Sequence, residues 1–349
     1  MVELTIDGRR ASVPNGTSVL EAAKSIGIDI PNLCYDKSLS AVGACRICLV
    51  EVKGFRNLLP ACATAASNGM VVKTETEEIA ELRKTVLDLL LSDHPQDCLT
   101  CDKAGNCRLQ DYCYRYGLQE SSFKGKRRRI EIEDANHLIR RDREKCILCS
   151  KCVRVCREIQ VTSAIDFQGR GFNSTVATPL DLPLSMDVCR FCGQCVDMCP
   201  TGALINKQFK GVRPWEVKKV RTTCPLCGTG CNFDLNVKDG RVVGVTSNSD
   251  APVNATAMCV KGRFHTDFIY SPDRITTPLI KRDGVFTEAT WDEALNLVAS
   301  RLKEVKERSG ADAIAALSSA RCTNEENWVM QKFMRAVIGT NNVDHCART

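Results

Sequence analysis

The sequence predicts an α+β multidomain chain, and three observations lead to this fold class. The chain has 349 residues, which is enough for two or more domains of ordinary size. Its hydrophobic pattern changes from strand-like runs at Val2–Ile6 and Arg9–Val13 to helical spacing at Glu77–Leu91 and Trp291–Arg308. The chain also contains 22 cysteines, gathered in groups whose spacing is typical of metal ligands. We therefore predict a series of domains rather than one large core.

The first 75 residues are predicted to form a small β-rich unit. An Asp-Gly turn at positions 7 and 8 joins the two N-terminal strands into a hairpin. Ser18 and Glu21 have the spacing of a capping box, which predicts a short helix that ends at about Ile26. A loop that carries cysteines follows, and Ile47–Lys53 is predicted to be a third strand.

The helix predicted at Glu77–Leu91 is amphipathic, and His94 with Pro95 is expected to stop it. Its predicted buried face contains the apolar residues at helical spacing, which are Ile79, Leu82, Val86 and Leu89 or Leu90.

The C-terminal stretch is predicted to be the beginning of an α/β domain. The helix at Trp291–Arg308 is followed by a strand at Ala313–Ser319 and by a helix at Asn324–Ile338, which Gly339 closes. The apolar face of the first of these helices is predicted to consist of Leu295, Val298, Leu302 and Val305.

The composition argues against nucleic acid as a partner. Aromatic residues make up only 5% of the chain, too few for platforms that stack single-stranded bases, and the net charge of +6 is mild. The polar connector at 118–136 contains a basic quartet at 126–129. We interpret this quartet as a solvated turn or as a steering patch for a redox partner.

The cysteines are predicted to be metal ligands rather than disulfide partners. The N-terminus has neither the basic nor the apolar region of a signal peptide, and the sequence contains no run of about 18 apolar residues. We therefore expect a cytoplasmic protein with no membrane insertion. Because the cytosol is reducing, 22 cysteines there are not expected to form disulfides.

Two cysteine runs of equal spacing form an internal repeat, Cys146-x-x-Cys149-x-x-Cys152-x-x-x-Cys156 and Cys189-x-x-Cys192-x-x-Cys195-x-x-x-Cys199-Pro200. In such runs three closely spaced thiolates bind one cubane, and the fourth binds the neighbouring cluster. We therefore predict two [4Fe–4S] clusters, one on Cys146, Cys149, Cys152 and Cys199, and the other on Cys189, Cys192, Cys195 and Cys156. A pair of structural zinc ions is the alternative.

Four cysteines of the β-rich unit are predicted to bind a [2Fe–2S] cluster, with zinc as the alternative. Their spacing is Cys34-x10-Cys45-x2-Cys48-x13-Cys62. The first interval is longer than in the plant-type pattern, but the order of a loop cysteine, a close pair and a distant fourth cysteine is retained.

A histidine is predicted to be a ligand of the next [4Fe–4S] cluster. The motif is His94-x3-Cys98-x2-Cys101-x5-Cys107. Cys113 lies just outside this pattern and is the alternative fourth ligand, in which case His94 is only the residue that ends the helix. If His94 is a ligand, its neutral ring replaces a thiolate and should raise the reduction potential of this cluster.

The fifth predicted ligand set is Cys224-x2-Cys227-x3-Cys231-x27-Cys259, again for a [4Fe–4S] cluster. Gly228 and Gly230 allow the backbone to fold tightly around the metal. For the remaining cysteines a buried or bystander thiol is the default interpretation. These are Cys113, Cys322 and Cys346.

The order of these motifs resembles that of a known family. The region from Cys34 to Cys199 is similar to the N-terminal half of the large iron–sulfur subunit of respiratory complex I, a layout shared with iron–iron hydrogenases and with NAD-linked formate dehydrogenases. Two further stretches resemble the cluster domain that opens molybdopterin (bis-guanine dinucleotide) oxidoreductases. They are Cys224-Pro225-x-Cys227-Gly228-x-Gly230-Cys231 and Cys259-Val260-Lys261-Gly262-Arg263. We find no active-site cysteine motif of a hydrogenase.

The last residues resemble the segment just before the active site of formate dehydrogenases. The matching stretches are Asn324-Glu325-Glu326-Asn327 and Asn342-Val343-Asp344-His345-Cys346-Ala347-Arg348-Thr349. In that family the next residue is the selenocysteine or cysteine that ligates molybdenum or tungsten. We therefore expect that a UGA codon read as a stop ends the translated sequence at Thr349, and that the chain contains no catalytic metal ligand.

The resemblance implies five domains. They are a β-grasp [2Fe–2S] ferredoxin domain at 1–77, a His/Cys3 [4Fe–4S] domain at 78–117, a two-cluster ferredoxin-like domain at 137–210, a molybdopterin-oxidoreductase [4Fe–4S] domain at 217–273, and the start of an α/β pterin-binding domain at 274–349. The implied cofactors are one [2Fe–2S] cluster and four [4Fe–4S] clusters, with a molybdenum or tungsten bis-pterin guanine dinucleotide in the full-length protein.

The implied function is reversible oxidation of formate to carbon dioxide, with electrons relayed through the clusters. Lys261 matches the family lysine between the [4Fe–4S] cluster and the pterin, although a surface lysine is the simpler interpretation of that residue. The implied partners are a flavin-containing diaphorase-type subunit that binds NAD(P)H, or hydrogenase-type electron-transfer subunits. The alternatives are a non-catalytic complex I-type iron–sulfur subunit and a free-standing ferredoxin-like relay.

Overall fold

The computed structural model describes residues 1–346 of the chain, which divide into two compact units. The first unit comprises Met1–Val220, Asp234–Asp250 and Thr256–Phe264. The second unit comprises Arg221–Phe233, Ala251–Ala255 and His265–Thr349, of which the structure describes the residues up to 346. The prediction about Thr349 lies outside the described residues.

A five-stranded sheet packed against one helix forms the N-terminal part of the first unit. Its elements are β1 (Val2–Ile6), β2 (Arg9–Val13), α1 (Val19–Ser25), β3 (Leu49–Val52), β4 (Leu59–Pro60) and β5 (Val71–Lys73), and the strand order is β2-β1-β5-β3-β4. Both strands of the predicted hairpin have the predicted bounds, and they pair antiparallel around the Asp-Gly turn. The Oγ of Ser18 accepts the N–H of Glu21 at 3.3 Å and caps α1. β3 is shorter than the predicted strand because Ile47 lies in a cysteine loop instead.

Two helices follow the sheet, α2 (Glu77–Asp93) and α3 (Arg108–Arg115). α2 ends at His94, as predicted, but its predicted buried face is partly wrong. Leu82 and Leu89 are 37% and 52% exposed. The buried residues of α2 are Ile79, Arg83, Leu87, Asp88 and Leu91. The buried face includes Arg83 because its guanidinium donates hydrogen bonds to backbone carbonyls of the sheet and the cysteine loop.

The segment that contains the cysteine repeat has short elements around an apolar core. Its elements are β6 (Ile139–Arg141), α4 (Lys151–Arg154), β7 (Asp166–Gln168), β8 (Thr175–Ala177), α5 (Gln194–Met198) and β9 (Leu204–Asn206). β6 pairs antiparallel with β9, and β7 pairs antiparallel with β8. The chain continues from α4 into a π-helical turn at Val155–Ile159. The core between these elements includes Ile139, Val153, Ile165, Val196 and Leu204.

A three-stranded sheet and a short helix come next in the chain. The strands are β10 (Lys218–Thr223), β11 (Asn232–Lys238) and β12 (Arg241–Ser247), in the order β10-β11-β12. The helix α6 (Val260–Phe264) follows, and it buries Gly262, Arg263 and Phe264.

The second unit contains a hairpin and a parallel strand pair. Its remaining elements are β13 (Leu279–Arg282), β14 (Val285–Glu288), α7 (Trp291–Ser309), β15 (Ala316–Ser318), α8 (Asn324–Lys332) and β16 (Val343–His345). β15 and β16 pair parallel with α8 between them, which is a β-α-β unit. A π-helical stretch at Phe333–Ile338 extends α8, and Gly339 closes it with φ +91°.

The predicted apolar face of α7 is only half buried. Leu302 and Val305 pack against the core of Ile314, Met334 and Ile338. Leu295 and Val298, one to two turns earlier, are 59% and 54% exposed. The helical spacing of these residues is correct, but the core formed by the described residues reaches only the C-terminal half of the helix. In the part of the chain described here, no helix combines the length and the apolar character needed to cross a membrane.

Candidate iron–sulfur centres

Two cavities lie within the segment of the cysteine repeat, and each is lined by one of the predicted ligand sets. The first is lined by Cys146, Cys149, Cys152 and Cys199, together with apolar residues such as Ile147 and Ile165. The second is lined by Cys156, Cys189, Cys192 and Cys195. In each cavity three thiols come from one run and the fourth from the other. A four-iron cluster needs such a space between its thiolates, so the donor set and the enclosure fit a [4Fe–4S] cluster.

The two runs follow the same backbone path. Leu148 and Phe191, which occupy equivalent positions, have φ of +54° and +48°. Their N–H groups donate to the sulfurs of Cys146 at 3.4 Å and Cys189 at 3.3 Å. Two residues later, the N-caps of α4 and α5 are also left-handed. Backbone N–H groups aimed at sulfur stabilise a thiolate and help to set the potential of a bound cluster.

The thiols that line these cavities are hard to ionise without metal. Burial raises the pKa of Cys146 to about 11 and that of Cys149 to about 12. Burial also raises the pKa of Cys152 and Cys195 well above the ordinary value. These thiols are therefore protonated at neutral pH in the metal-free chain, and cluster binding has to release their protons.

Hydrogen bonds link the four cysteines of the N-terminal unit. The thiols of Cys45 and Cys62 hydrogen-bond to Cys34 and lower the pKa of Cys34 to about 2. The N–H of Cys45 also donates to the sulfur of Cys34 at 3.5 Å. Hydrogen bonding to Cys62 lowers the pKa of Cys48. The loop before β3 and the segment after β4 thus bring four sulfurs together, a donor set that fits a [2Fe–2S] cluster.

His94 lies at the end of α2 with a buried nitrogen that lacks a partner. Its Nδ1 is inaccessible to solvent and makes no hydrogen bond within residues 1–346. Burial, with a smaller contribution from the charge of Lys145, lowers the pKa of His94 to about 4. The ring is therefore neutral at physiological pH and has a lone pair to offer to a metal.

The thiols of this motif and of Cys113, the alternative ligand, lie in different environments. Burial raises the pKa of Cys107 to about 11, and it raises the pKa of Cys113 to about 12 with additional effects from Cys107 and Cys98. Cys113 points from α3 into an apolar core that includes Leu87 and Leu109. Cys98 is exposed and Cys101 is half-buried.

The fifth set is divided between the two units. In the second unit, Cys224 and Cys231 are joined by a backbone hydrogen bond of 2.8 Å, and a side chain at Gly228 would contact Ala320 at 3.1–3.2 Å. Cys259 belongs to the first unit, where its sulfur accepts the N–H of Gly262 at 3.5 Å. The ligand set itself stays a prediction.

Lys261 and the unassigned cysteines lie in different settings. Lys261 is exposed on α6. Cys113 is buried, whereas Cys322 and Cys346 are exposed. The sulfur of Cys346 lies 3.4 Å from the Oγ of Ser319. Among the described residues, no three or more His, Cys, Asp or Glu side chains converge tightly on one metal-ion position.

Buried arginines around the cysteine loops were not predicted from the sequence. Arg83, Arg154 and Arg263 are each 1% exposed. Each donates to the carbonyl of a cysteine or of a residue inside a cysteine motif. Arg263 stands inside the Cys259–Arg263 stretch quoted above, but the other two carry no local signal, because their partners are 36 and 120 residues away.

Five protein families match consecutive stretches of the chain. Residues 1–77 match a 2Fe-2S iron-sulfur cluster binding domain, and residues 83–122 match the NADH-ubiquinone oxidoreductase-G iron-sulfur binding region. Residues 136–205 match the ferredoxin-like domain of NADH-quinone oxidoreductase subunit 3. Residues 217–271 match the molybdopterin oxidoreductase Fe4S4 domain, and residues 274–349 match molybdopterin oxidoreductase.

Curated relatives align with the whole chain but are much longer. The NADPH-Fe(3+) oxidoreductase subunit alpha of Geobacter sulfurreducens is 41% identical over 349 residues, which are 100% of this chain and 40% of the relative. The G 2 subunit of NADH-quinone oxidoreductase from Rhizobium meliloti is 41% identical, with 100% and 40% of the two chains covered. A candidate formate dehydrogenase of Staphylococcus haemolyticus is 33% identical, with 99% and 39% covered. The chain thus spans about two fifths of the length of these relatives.

The chain is also similar to a solved structure in both fold and sequence. It is a crystal structure of an NAD+-reducing [NiFe]-hydrogenase in the H2-reduced state, with a TM-score of 0.54 and 29% identity over 61% of this chain and 90% of that chain. Together, the comparisons show iron–sulfur domains of the NADH-quinone oxidoreductase G type joined to molybdopterin oxidoreductase domains. The predicted iron–sulfur domain types and the molybdopterin oxidoreductase domain type are confirmed at this level.

Proposed function

We propose that this chain, with its G-type iron–sulfur domains and molybdopterin oxidoreductase domains, conducts electrons between an NAD(P)H-linked partner and a molybdopterin centre. In the whole protein the reaction would be formate oxidation to carbon dioxide. The observation that carries the electron-transfer part is the pair of cavities, each lined by four cysteines that the two runs share. The two cysteine sets are adjacent in one apolar core, and electron transfer between clusters requires such short separations.

The proposed ligands are the residues predicted from the motifs. A [2Fe–2S] cluster would bind to Cys34, Cys45, Cys48 and Cys62. Four [4Fe–4S] clusters would bind to His94, Cys98, Cys101 and Cys107; to Cys146, Cys149, Cys152 and Cys199; to Cys156, Cys189, Cys192 and Cys195; and to Cys224, Cys227, Cys231 and Cys259.

The proposed histidine ligand is supported by the setting of its ring. The Nδ1 of His94 is buried without a hydrogen-bond partner in the described chain, and its depressed pKa keeps the ring neutral. Cys113 faces an apolar core. A buried polar atom with no partner is costly unless a metal or another group completes it, so we favour His94 as the fourth ligand.

Backbone contacts support a continuous relay inside the first unit. The N–H of Arg108, next to Cys107, donates to the carbonyl of Pro200, next to Cys199, at 3.0 Å. A side chain at Gly202 would meet the sulfur of Cys101 at 2.9 Å. The histidine-ligated site and the Cys199 site therefore lie side by side, and electrons would pass between them before reaching the N-terminal cluster.

The formate assignment rests on the C-terminal resemblance and on the 33% identical candidate formate dehydrogenase. A molybdenum or tungsten bis-pterin guanine dinucleotide would supply the formate chemistry. We assign none of the described residues to that group. Lys261 would assist electron passage between the group and the Cys224–Cys259 cluster.

A second candidate function is an NAD(P)H-linked electron-transfer subunit without a catalytic metal. The NADPH-Fe(3+) oxidoreductase and NADH-quinone oxidoreductase relatives, at 41% identity, support it. In both functions this chain would dock to a flavin-containing subunit that exchanges electrons with NAD(P)H, and its clusters would conduct electrons. The two candidate functions differ in the site at which electrons enter the relay.

The test uses the full-length protein, purified without oxygen. Reduction of the clusters by formate, followed by EPR, together with bound molybdenum or tungsten, would support the formate dehydrogenase. Reduction only by NAD(P)H through the partner subunit, with no molybdenum or tungsten, would support the second function. Absence of iron–sulfur EPR signals after chemical reduction would overturn both.

The ligand role of His94 has a separate test. We expect His94→Cys to lower the midpoint potential of one [4Fe–4S] cluster, because a thiolate adds negative charge that opposes reduction. Cys113→Ala is the matched control and should leave every cluster in place. An unchanged midpoint in His94→Cys, or loss of a cluster in Cys113→Ala, would contradict the assignment.

A further inference from the structure

Several cysteine motifs share one feature, a guanidinium group from another segment of the chain that donates to a backbone carbonyl of the motif. Arg83 Nε donates to Ile47 O at 3.1 Å, and Arg154 Nη2 donates to Cys34 O. Arg263 Nε donates to Cys192 O at 2.6 Å. Two less buried arginines repeat the contact. They are Arg128, which reaches Cys146 O at 2.9 Å, and Arg213, which reaches Cys101 O at 2.6 Å.

Burial makes these arginines unusual. The side chains of Arg83, Arg154 and Arg263 are each 1% exposed, although removing a guanidinium from water is costly unless its donors and its charge are compensated. Arg263 has a close carboxylate, Asp197, at 2.5 Å. No carboxylate within 4.0 Å of the Arg154 guanidinium occurs in the described chain, and its bonds go to two carbonyls and one hydroxyl. Within those residues, Arg154 therefore forms no close ion pair, although its charge helps to lower the pKa of Glu158.

We propose that these arginines are positioning residues for the clusters, and that the charge of Arg154, which has no carboxylate within 4.0 Å among the described residues, raises the reduction potential of the [2Fe–2S] cluster whose loop it holds. A cluster bound by thiolates is negatively charged, and reduction adds one more negative charge. A nearby guanidinium in a buried, weakly screened setting stabilises the reduced form more than the oxidised form. This inference rests on the proposed function, since it requires clusters at the predicted cysteines.

Arg154 illustrates the positioning role. It lies at the end of α4, between Cys152 and Cys156, and its two Nη atoms donate to Cys34 O and Ser40 O across the first unit. Its Nε donates to Ser150 Oγ at 3.0 Å. The planar guanidinium thus ties two points of the Cys34 loop, Cys34 and Ser40, to α4. A lysine could carry the charge, but its single nitrogen lacks the rigid planar fork of a guanidinium.

Two further contacts hold the same loop to the same helix. Lys151 Nζ lies 3.6 Å from Asp36, and Glu158 accepts from the N–H and the hydroxyl of Ser40 at 2.8 and 2.6 Å. Because these contacts remain when Arg154 is replaced, the loop should stay attached. The charge effect on the N-terminal cluster can then be measured separately from folding.

Arg263 shows the same arrangement at the second run. Its Nε holds Cys192 O, and its Nη1 bonds Asp197, which also accepts from the N–H of Ser247. A side chain at Gly193 would lie 2.1 Å from the Cδ of Arg263, so the loop leaves space only for this arginine. The two arginines hold different loops, and each therefore serves as the control for the other.

The experiment compares the oxygen-free, cluster-loaded full-length protein with three variants: Arg154→Gln, Arg154→Lys and Arg263→Gln. Arg157→Gln is the matched control, because Arg157 lies one turn from Arg154 but its side chain is 58% exposed. The readout is the midpoint potential of the [2Fe–2S] signal, followed by EPR during a redox titration. Cluster content is measured in parallel.

We expect Arg154→Gln to lower the [2Fe–2S] midpoint, Arg154→Lys to restore most of it, and Arg263→Gln and Arg157→Gln to leave it unchanged. Loss of only the [2Fe–2S] signal in Arg154→Gln would also support the proposal. An unchanged midpoint in Arg154→Gln, or loss of all clusters in both Arg154 variants, would overturn it. A wild-type protein with no [2Fe–2S] signal would instead overturn the proposed function, and the inference with it.

Discussion

The two cysteine runs have the same spacing and the same backbone path, but they are supported in opposite ways. The position two residues after the third cysteine is Arg154 in the first run and Asp197 in the second. Arg154 donates a hydrogen bond to Cys34 O, whereas Asp197 accepts a hydrogen bond from Arg263, which lies in another segment. The first run thus supplies an arginine, and the second run accepts one. The repeat fixes the ligands, while the substitutions between the two copies decide which neighbouring domain each copy contacts.

The largest effect is expected from replacing the fourth cysteine of a run. Because Cys199 lines the cavity of the first run, we expect Cys199→Ser to disturb the cluster on Cys146, Cys149 and Cys152 rather than the one on its own run. Iron content of double variants tests this expectation. Adding Cys146→Ser to Cys199→Ser should cause little further loss, whereas adding Cys189→Ser should remove about one more cluster. Equal further loss in both pairs would contradict the shared arrangement.

The next largest effect is expected from exchanging the charge at the equivalent positions. Asp197→Arg places a second guanidinium against the buried Arg263, and we expect a loss of about 3 kcal/mol or more in the free energy of unfolding. Asp197→Asn keeps a hydrogen-bond acceptor and should cost less, roughly 1–2 kcal/mol. Denaturant titration of the oxygen-free protein measures both. A charge-reversed protein as stable as the wild type would show that Asp197 is not needed to receive Arg263.

A smaller difference in stability is expected between substitutions at the N-caps of α4 and α5. Gly193 has φ +69° and no room for a Cβ beside Arg263, so Gly193→Ala should cost roughly 2 kcal/mol or more. Ser150 occupies the same position in the first run at φ +62° and already carries a side chain. Ser150→Ala removes one hydrogen bond to Arg154, for about 1 kcal/mol. Thermal unfolding of the two variants in parallel measures the difference, and the opposite ranking would contradict the account of Gly193.

The smallest effect concerns the exposed edge of the Cys34 loop. Ser40→Ala removes the hydroxyl that donates to Glu158 at 2.6 Å but leaves the backbone N–H contact at 2.8 Å. Because the contact is exposed, we expect a loss below about 1 kcal/mol and no change in the [2Fe–2S] midpoint. A shifted midpoint, measured by redox titration, would show that the loop and not Arg154 controls the potential.

The sequence predicts the local elements well, because they are encoded over short distances. The hairpin at Val2–Ile6 and Arg9–Val13 depends on one turn, and the end of α2 depends on His94 and Pro95. The buried face of α2 was predicted less well. Apolar periodicity favours Leu82 and Leu89, whereas Arg83 is the residue inside, because its partners come from β3 and the Cys45–Cys48 loop.

The supports of the clusters could not be predicted for a related reason. Arg154 and Cys34 are 120 residues apart, and the spacing of neither motif indicates that they are in contact. Only the folded chain brings the two together. The grouping of Cys199 with Cys146 could be predicted, because the fourth-cysteine rule is a property of the motif itself.

The long separation between each loop and its arginine has a consequence during protein synthesis. The Cys34 loop leaves the ribosome 120 residues before Arg154. At typical elongation rates this interval lasts on the order of ten seconds. Arg263 is likewise synthesised 71 residues after Cys192. A nascent chain therefore exposes its cysteines before their supports exist, and delivery of iron and sulfide to the finished chain would meet loops that are already held in place.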